Sequence, residues 1–284
     1  MLMNGKAQEE NEQEPVIEVL VDPSLEAIRQ SVVTPGMGIL YRYHPDTDQR
    51  LAEGFPRFIE GGQGRLVVAR SGKHIVGYAV ITRPDSQERW GEPSSPELWE
   101  LAFIEVARGW RQRGIGRGLL RACFADGALD DRIVLATAYV WHWDLEGTGL
   151  SKEAYQDVLV RCFGSVGFES LQTDEPNIQE DPANRLLVRI GPRVNPKVRE
   201  EFLALLHPGE TAALASRAGI APPWRDLANV VAHSVRMCGP NGWLVPWTET
   251  WRVVASRTPG SFKRWLASFR LPRSAGAIPG SKAK

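Results

Sequence analysis

Two kinds of residue in this chain stand at spacings that can do chemistry: glycines that leave a backbone bare, and glutamates on the stretch leading into them. GWRQRGIGRGLL (109–120) places Gly114, Gly116 and Gly118 among Arg111, Arg113 and Arg117 and then runs into leucines. The preceding LWELAFIEV (98–106) has the β-branched, aromatic and aliphatic content of a buried strand, and it carries Glu100 and Glu105. From Gly114 the spacing turns helical, with Leu119, Leu120, Cys123 and Phe124 on one face and Asp126-Gly127 to close it. Strand, glycine turn, helix is an order suited to an anion. The first N–H groups of a helix lack partners and carry partial positive charge. Glycine lets the backbone touch phosphate oxygens where a Cβ would intervene.

Three phosphate-binding patterns compete for this turn. The P-loop ends in Gly-Lys-Ser or Gly-Lys-Thr, whereas here Gly118 is followed by Leu119 and Leu120. The dinucleotide pattern G-x-G-x-x-G needs a glycine at 119, where leucine stands. Arg-x-x-Gly-x-Gly, read on Arg111, Gly114 and Gly116, is the one that fits. Other chemistries drop out early. FGSVGF (163–168) is not Gly-x-Ser-x-Gly, and five scattered histidines show no ligand spacing. Neither a serine hydrolase nor a metalloenzyme is expected, and no metal.

The elements that must position the turn can be read on both sides of it. VIEVLV (16–21) reads as a strand, and Asp22 then offers an N-cap with Pro23 at the first helical position. RLVVAR (65–70) and HIVGYAVIT (74–82) flank the turn of a β-hairpin. RIVLATAYV (132–140) is a further buried strand, and 151–167 a helix capped by Ser151 and ended by Gly167. FESLQT (168–173) and NRLLVRIG (184–191) read as closing strands. The expectation is an α/β domain over 16–207, a polar and acidic disordered segment over 1–15, and a C-terminal extension over 208–284.

Composition sets the class. An apolar share of 43% over 284 residues allows a sizeable core. No apolar run approaches the ~20 residues of a membrane span, and the opening residues resemble no signal or transit peptide. Cys123, Cys162 and Cys238, odd in number and widely spaced, read as reduced thiols of a cytoplasmic protein. Net charge is zero, but residues 211–284 hold eleven Lys/Arg against two Asp/Glu and five of the ten tryptophans. Within PGSFKRWLASFRL (259–271), Phe262, Trp265, Leu266 and Phe269 share one helical face. Packing on the domain or against a dimer partner is the first expectation for this basic, Trp-rich extension, with an acidic protein next. A basic amphipathic helix does not by itself separate these from a membrane surface or nucleic acid, and no nucleic acid is expected.

The glycine turn, with E-L-x-x-I-x-V (100–106) before it, resembles the acetyl-CoA loop of the Gcn5-related N-acetyltransferase (GNAT) superfamily. Within that superfamily, IVGYAVITRPDSQERW (75–90), ELAFIEV (100–106), YVWHWDLEG (139–147) and TDEPNIQEDPANRLLVRIG (173–191) resemble the acetoin-utilisation protein acetyltransferases. The resemblance covers roughly residues 40–195 and leaves the extension out. It implies the GNAT fold, a mixed central sheet flanked by helices. It also implies acetyl-CoA as donor and a lysine of acetyl-CoA synthetase as acceptor, acetylated so that the synthetase is switched off.

The same resemblance assigns roles. Backbone N–H groups of Gln112, Arg113, Gly114, Ile115, Gly116 and Arg117 would wrap the pyrophosphate. The strand edge at Ile104 and Val106 would pair with the pantetheine arm and turn an N–H toward the thioester oxygen. A lysine acceptor has a pKa near ~10.4 and needs a base. Glu100, eleven residues before Arg111, stands where Gcn5-type enzymes carry theirs. Glu105 is the second candidate, on the opposite face of an unbroken strand unless a bulge intervenes. The superfamily's tyrosine acid is replaced by Phe163, leaving Tyr139, His142 and Tyr155 as substitutes. Trp141 and His142 could line a channel for a lysine stem, with Asp144 and Asp174 attracting its ammonium. Two other readings stay open: a small-amine acetyltransferase, and a non-catalytic module that binds acetyl-CoA and a protein partner.

Overall fold

A computed structural model describes residues 15–38, 46–62, 64–84, 89–91 and 95–209. The acidic segment 1–14 and the extension from 210, with its amphipathic stretch, lie outside the described residues. Within them the chain runs β1 (Glu18–Val21), α1 (Leu25–Arg29), β2 (Val32–Val33), α2 (Thr47–Gly61), β3 (Gly64–Ser71), β4 (His74–Thr82) and β5 (Leu98–Val106). It continues through α3 (Ile115–Phe124), β6 (Ile133–Ala138), α4 (Leu145–Thr148), α5 (Lys152–Gly164), β7 (Glu169–Leu171), α6 (Pro176–Gln179), β8 (Arg185–Ile190) and α7 (Pro196–Leu206).

The strands form one mixed sheet in the order β1-β3-β4-β5-β6-β8-β7, with β2 beside the start of β4. Alternation along β3 and β4 sorts their side chains between two layers. Val67, Ala69, Ala79 and Ile81 face Leu119, Leu120 and Cys123 of α3 and Phe163 of α5. Leu66, Val68, Tyr78 and Val80 face Ile28 of α1 and Leu51 and Phe55 of α2. Farther along that second face, Ile133, Leu135 and Leu186 pack under Phe202, Leu205 and Leu206 of α7. The architecture is the expected α/β one, a mixed sheet between helical layers.

One break in the sheet sets up the site. β5 and β6 pair in parallel only at Leu98–Glu100 against Ile133–Leu135, although β5 continues to Val106 and β6 to Ala138. Antiparallel pairing holds β5 to β4 on its other side as far as Val106. The register there shifts: Val80 pairs with Phe103 but Ile81 with Leu101, so Ala102 is an extra, bulged residue.

Local expectations change in three places. Ser24, not Asp22, caps α1, accepting from the Ala27 N–H at 3.2 Å. Asp22 instead adopts a φ of 45° and accepts the Leu66 N–H, tying β1 to β3. The strand at 132–140 ends at Ala138 and passes into a 3-10 turn at Val140–His142. Helices α2 and α7 were not foreseen; Pro56 inside α2 masks its periodicity, and α7 starts with Asn195 as cap and Pro196 behind it.

Leu119 is fully buried between α3 and the sheet. Leu119→Ala is expected to cost about 2–5 kcal/mol, seen as a lower urea midpoint with an unchanged m-value. A loss below ~1 kcal/mol would contradict the packing described.

Candidate active site

The turn after β5 is shaped by backbone that only a few residues tolerate. Gln112 has a φ of 64° and Gly114 a φ of 76°, so the chain passes twice through the left-handed region before α3 begins at Ile115. Ile115, buried at 5% exposure, anchors the first turn into the core. A Cβ on Gly116 would meet only Val106 Cγ2 at 3.9 Å, and one on Gly118 would meet nothing within 4 Å. Among the described residues, no side-chain packing therefore requires glycine at these two positions. Their bareness leaves the N-terminal backbone of α3 open to a ligand. Arg113, its guanidinium 5.3 Å from the Trp110 ring centroid, and Arg117 are exposed, and among the described ion pairs neither has an acidic partner.

Arg111 turns the other way. Its Nε donates to the Val106 carbonyl at 3.0 Å and its Nη1 to Asp144 at 2.6 Å. The guanidinium therefore braces the end of β5 against the segment after β6, and the Arg111 backbone N–H closes the preceding 3-10 turn on the Arg108 carbonyl at 3.3 Å.

Beyond Glu100, β6 leaves an edge of β5 without a strand partner among the described residues. The Ala107 N–H donates to Val76 O at 2.9 Å, toward β4. Strand alternation then points the amide groups of Glu105 toward β4 as well, and those of Ile104 and Val106 away from it, into the gap. The side chains of Ile104 and Val106 meanwhile pack toward α3.

The bulge decides where the glutamates lie. Glu100 pairs with Thr82 and Glu105 with Tyr78, four residues apart on β4, so both glutamates fall on the same face. That face is opposite α3 and the glycine turn. Glu100 is buried at 2% exposure, at the last residue paired with β6. Glu105 is half-buried at the far end of the gap, and the Gly38 N–H reaches both its oxygens at 3.0 and 2.9 Å. Burial pushes the Glu105 carboxyl up to about 7. Hydrogen bonds from Tyr78 and Gly38 and the charge of Arg111 oppose that rise, while Asp144 adds to it.

Residues 37–139 match the acetyltransferase (GNAT) family. The acetoin utilization protein AcuA of Bacillus subtilis (strain 168) is 39% identical over 140 residues, 49% of this chain and 67% of that protein. AcuA of Bacillus licheniformis is 36% identical over the same shares. The crystal structure of an acetoin utilization protein from Exiguobacterium sibiricum 255-15, 30% identical, covers 69% of this chain and 97% of its own at a TM-score of 0.62. This chain belongs to the GNAT acetyltransferase family. It is therefore an N-acetyltransferase, and the family's donor is acetyl-CoA. Among the described residues the glycine turn is open, and no strand pairs with the β5 edge beyond Glu100 on the β6 side.

In this GNAT enzyme the rings of the WHWD segment, just after β6, pack on one another and on α5. Tyr139 stacks on Trp141 at 5.9 Å, Trp141 contacts His142 at 3.5 Å between ring centroids, and Trp143 stacks on Tyr155 at 5.1 Å. Trp143 and Tyr139 are buried, while Trp141 and His142 keep partial exposure. Phe163 packs edge-on against Phe168 at 5.2 Å as a core residue. Tyr155, two turns earlier on α5, lies within the field of Arg111, Asp144 and Glu105, and burial raises its pKa.

Two acidic residues expected to attract an ammonium are otherwise engaged. Burial works against the charge of Asp144, but hydrogen bonds from Arg108, Arg111 and the Gly147 N–H outweigh it and hold the carboxyl at about 2. Asp174 pairs with Arg89, which also holds Glu175 at 2.9 Å. Sequence reasoning missed Tyr78, Gly38 and Arg108. Tyr78 was legible only through the register that sets it opposite Glu105; nothing local marks Gly38, 67 residues away from that carboxylate.

The two carboxyls predict opposite responses to pH. The folded state holds Glu105 protonated up to about 7, above its ordinary 4.5, so ionising it costs stability as pH rises through that window. Glu105→Gln is expected to leave stability unchanged near pH ~4 and to raise it by about 1–3 kcal/mol above pH ~7. Asp144 is depressed from 3.8 to about 2, so its contribution is present above 3.8 and lost as pH falls through about 2. Asp144→Asn is expected to cost about 1–2 kcal/mol at neutral pH. Thermal melts across this pH range check both, and a Glu105→Gln effect that does not vary with pH would contradict the first.

Proposed function

We propose that this enzyme is an acetyl-CoA-dependent protein lysine N-acetyltransferase whose acceptor is acetyl-CoA synthetase or another adenylate-forming enzyme. The observation that carries the chemistry is a half-buried carboxylate, Glu105, beside the gap between β5 and β6, on the face opposite the glycine turn. A donor lying along the gap from the α3 side would present its acyl carbon to an amine entering from the glutamate side.

When bound, acetyl-CoA supplies the acetyl group as a thioester. Backbone N–H groups from Gln112 to Arg117 hold its pyrophosphate, and exposed Arg113 and Arg117 add positive charge there. The Ile104 and Val106 amides hold the arm, and one N–H at this edge stabilises the oxygen as it gains charge. Glu105 accepts one proton from the lysine ammonium, the neutral nitrogen forms its bond to the acyl carbon, and the C–S bond breaks to release the thiolate. The second proton the nitrogen loses on becoming an amide passes to solvent and balances the one the thiolate takes up. A lysine near pKa ~10.4 costs about 4–5 kcal/mol to deprotonate at pH ~7. Transfer to a base raised to about 7 adds nothing to that cost, whereas transfer to one at the ordinary 4.5 would add about 3 kcal/mol. Tyr155 is the proton donor best placed for the thiolate, by its closeness to the same charges.

The acceptor assignment rests on the likeness to the two AcuA proteins and on the earlier resemblance of YVWHWDLEG (139–147). The partial exposure of Trp141 and His142 supports a role for them as contacts for the lysine stem. The basic extension, 208–284, is assigned to partner or dimer contact. A cytoplasmic location is supported by the free thiols of Cys123 and Cys162; no helix among the described residues is long and apolar enough to cross a membrane.

Intact-mass spectrometry of purified acetyl-CoA synthetase, incubated with this enzyme and acetyl-CoA, tests the proposal. The expected result is one acetyl addition with loss of synthetase activity, abolished by Gly114→Asp and reduced at least ~100-fold by Glu105→Gln. Acetylation of free polyamines with the synthetase untouched would overturn the acceptor. Inhibition without a mass change would overturn catalysis as its cause.

A further inference from the structure

Tyr78 is a phenol 1% exposed, on the central strand β4, and nothing so far gives it a task. Its cross-strand partner is Glu105, on the same face of the sheet, so the phenol and that carboxylate are neighbours that act on each other's ionisation. The ring is fixed by the edge of Phe55 at 5.2 Å, from α2. Burial and the adjacent carboxylate push the Tyr78 pKa well above the ordinary 10, so the hydroxyl keeps its proton throughout the neutral range.

A second donor arrives from a different element. Gly38 has a φ of 115°, and a Cβ there would sit 1.9 Å from Cγ2 of Thr47, the buried first residue of α2. Only glycine lets the segment before α2 come close enough to give its N–H to Glu105. The carboxylate is thus gripped from β4 and from the α2 side at once. Its other charged and titratable neighbours among the described residues are Arg111, Asp144 and, from α5, Tyr155.

We infer that Tyr78 and the Gly38 N–H are positioning groups that orient the Glu105 carboxylate toward the gap and keep it ionisable in a site that desolvates it. This deepens the proposed function and rests on Glu105 being the base. Without such donors, burial alone would leave the carboxyl protonated at neutral pH, and a protonated carboxyl cannot take a proton from an amine. Tyr78 acts through Glu105 and touches no substrate.

The pH dependence of kcat and kcat/KM in Tyr78→Phe, which keeps the ring against Phe55, tests this. Loss of a hydrogen bond to a charged group is expected to move the acid limb up by about one unit. At pH ~7 kcat falls about fivefold and recovers above pH ~9, with KM for acetyl-CoA unchanged. Phe55→Leu, a packing change that spares the hydroxyl, should leave the limb in place. If Tyr78→Phe does not fold, fluorotyrosine at position 78, a stronger donor, must move the limb downward. A wild-type profile without an acid limb near neutrality overturns the assignment of Glu105 as base. A wild-type limb near 7 that neither replacement at position 78 moves overturns the positioning inference alone.

Discussion

The parting of β5 from β6 after three paired residues is the constraint on which the site depends. A continuous sheet would satisfy the amides of Ile104 and Val106 with a neighbouring strand and close the sheet to any molecule between its faces. Because β6 leaves while β4 stays, β5 keeps its shape from one side and offers hydrogen bonds on the other. The bulge at Ala102 belongs to the same device. It reverses the alternation along β5, so that Glu105 faces away from α3 and across the gap from the glycine turn. On the proposed function, donor and acceptor approach this edge from opposite faces.

Electrostatics completes what the backbone begins. Two carboxylates near one another are pushed in opposite directions by what surrounds them. Asp144 receives two arginines and a backbone N–H and stays charged, a fixed strut between the ends of β5 and β6. Glu105 receives neutral donors and burial and is poised near neutrality. Arg111 lies between the two. Its direct partner is Asp144, which limits how far its charge can stabilise ionised Glu105. The folded protein thus carries an unfavourable ionisation at Glu105 and offsets it with the deep apolar layers on either side of the sheet.

Much of this was legible in the sequence where the causes are local. The β3–β4 hairpin follows from alternation, and α5 from Ser151, whose Oγ accepts from the Ala154 N–H. The glycine turn follows from Arg111, Gly114 and Gly116 at their spacing, the α/β class from the order of elements, and the mixed sheet with flanking helices from the resemblance to the GNAT superfamily. What escaped has distant causes. A bulge at Ala102 leaves no mark in LWELAFIEV, so the faces of Glu100 and Glu105 could not be assigned. The acidity of Asp144 suggested attraction for a substrate, but Arg108 and Arg111 reach it from 36 and 33 residues away. Helix α2 was hidden by Pro56, and with it the approach of Gly38 to Glu105.

The central claim is that this enzyme holds one particular carboxylate near half-ionisation at neutral pH. Carbon-13 NMR titration of the glutamate side-chain carboxyls, with Glu105 assigned by its loss in Glu105→Gln, reads that property directly and without substrate. The prediction is a midpoint near 7 for Glu105. A midpoint in the ordinary range near ~4.3 would contradict it, leaving Glu105 a solvated acid and the geometry around it without the chemistry assigned here.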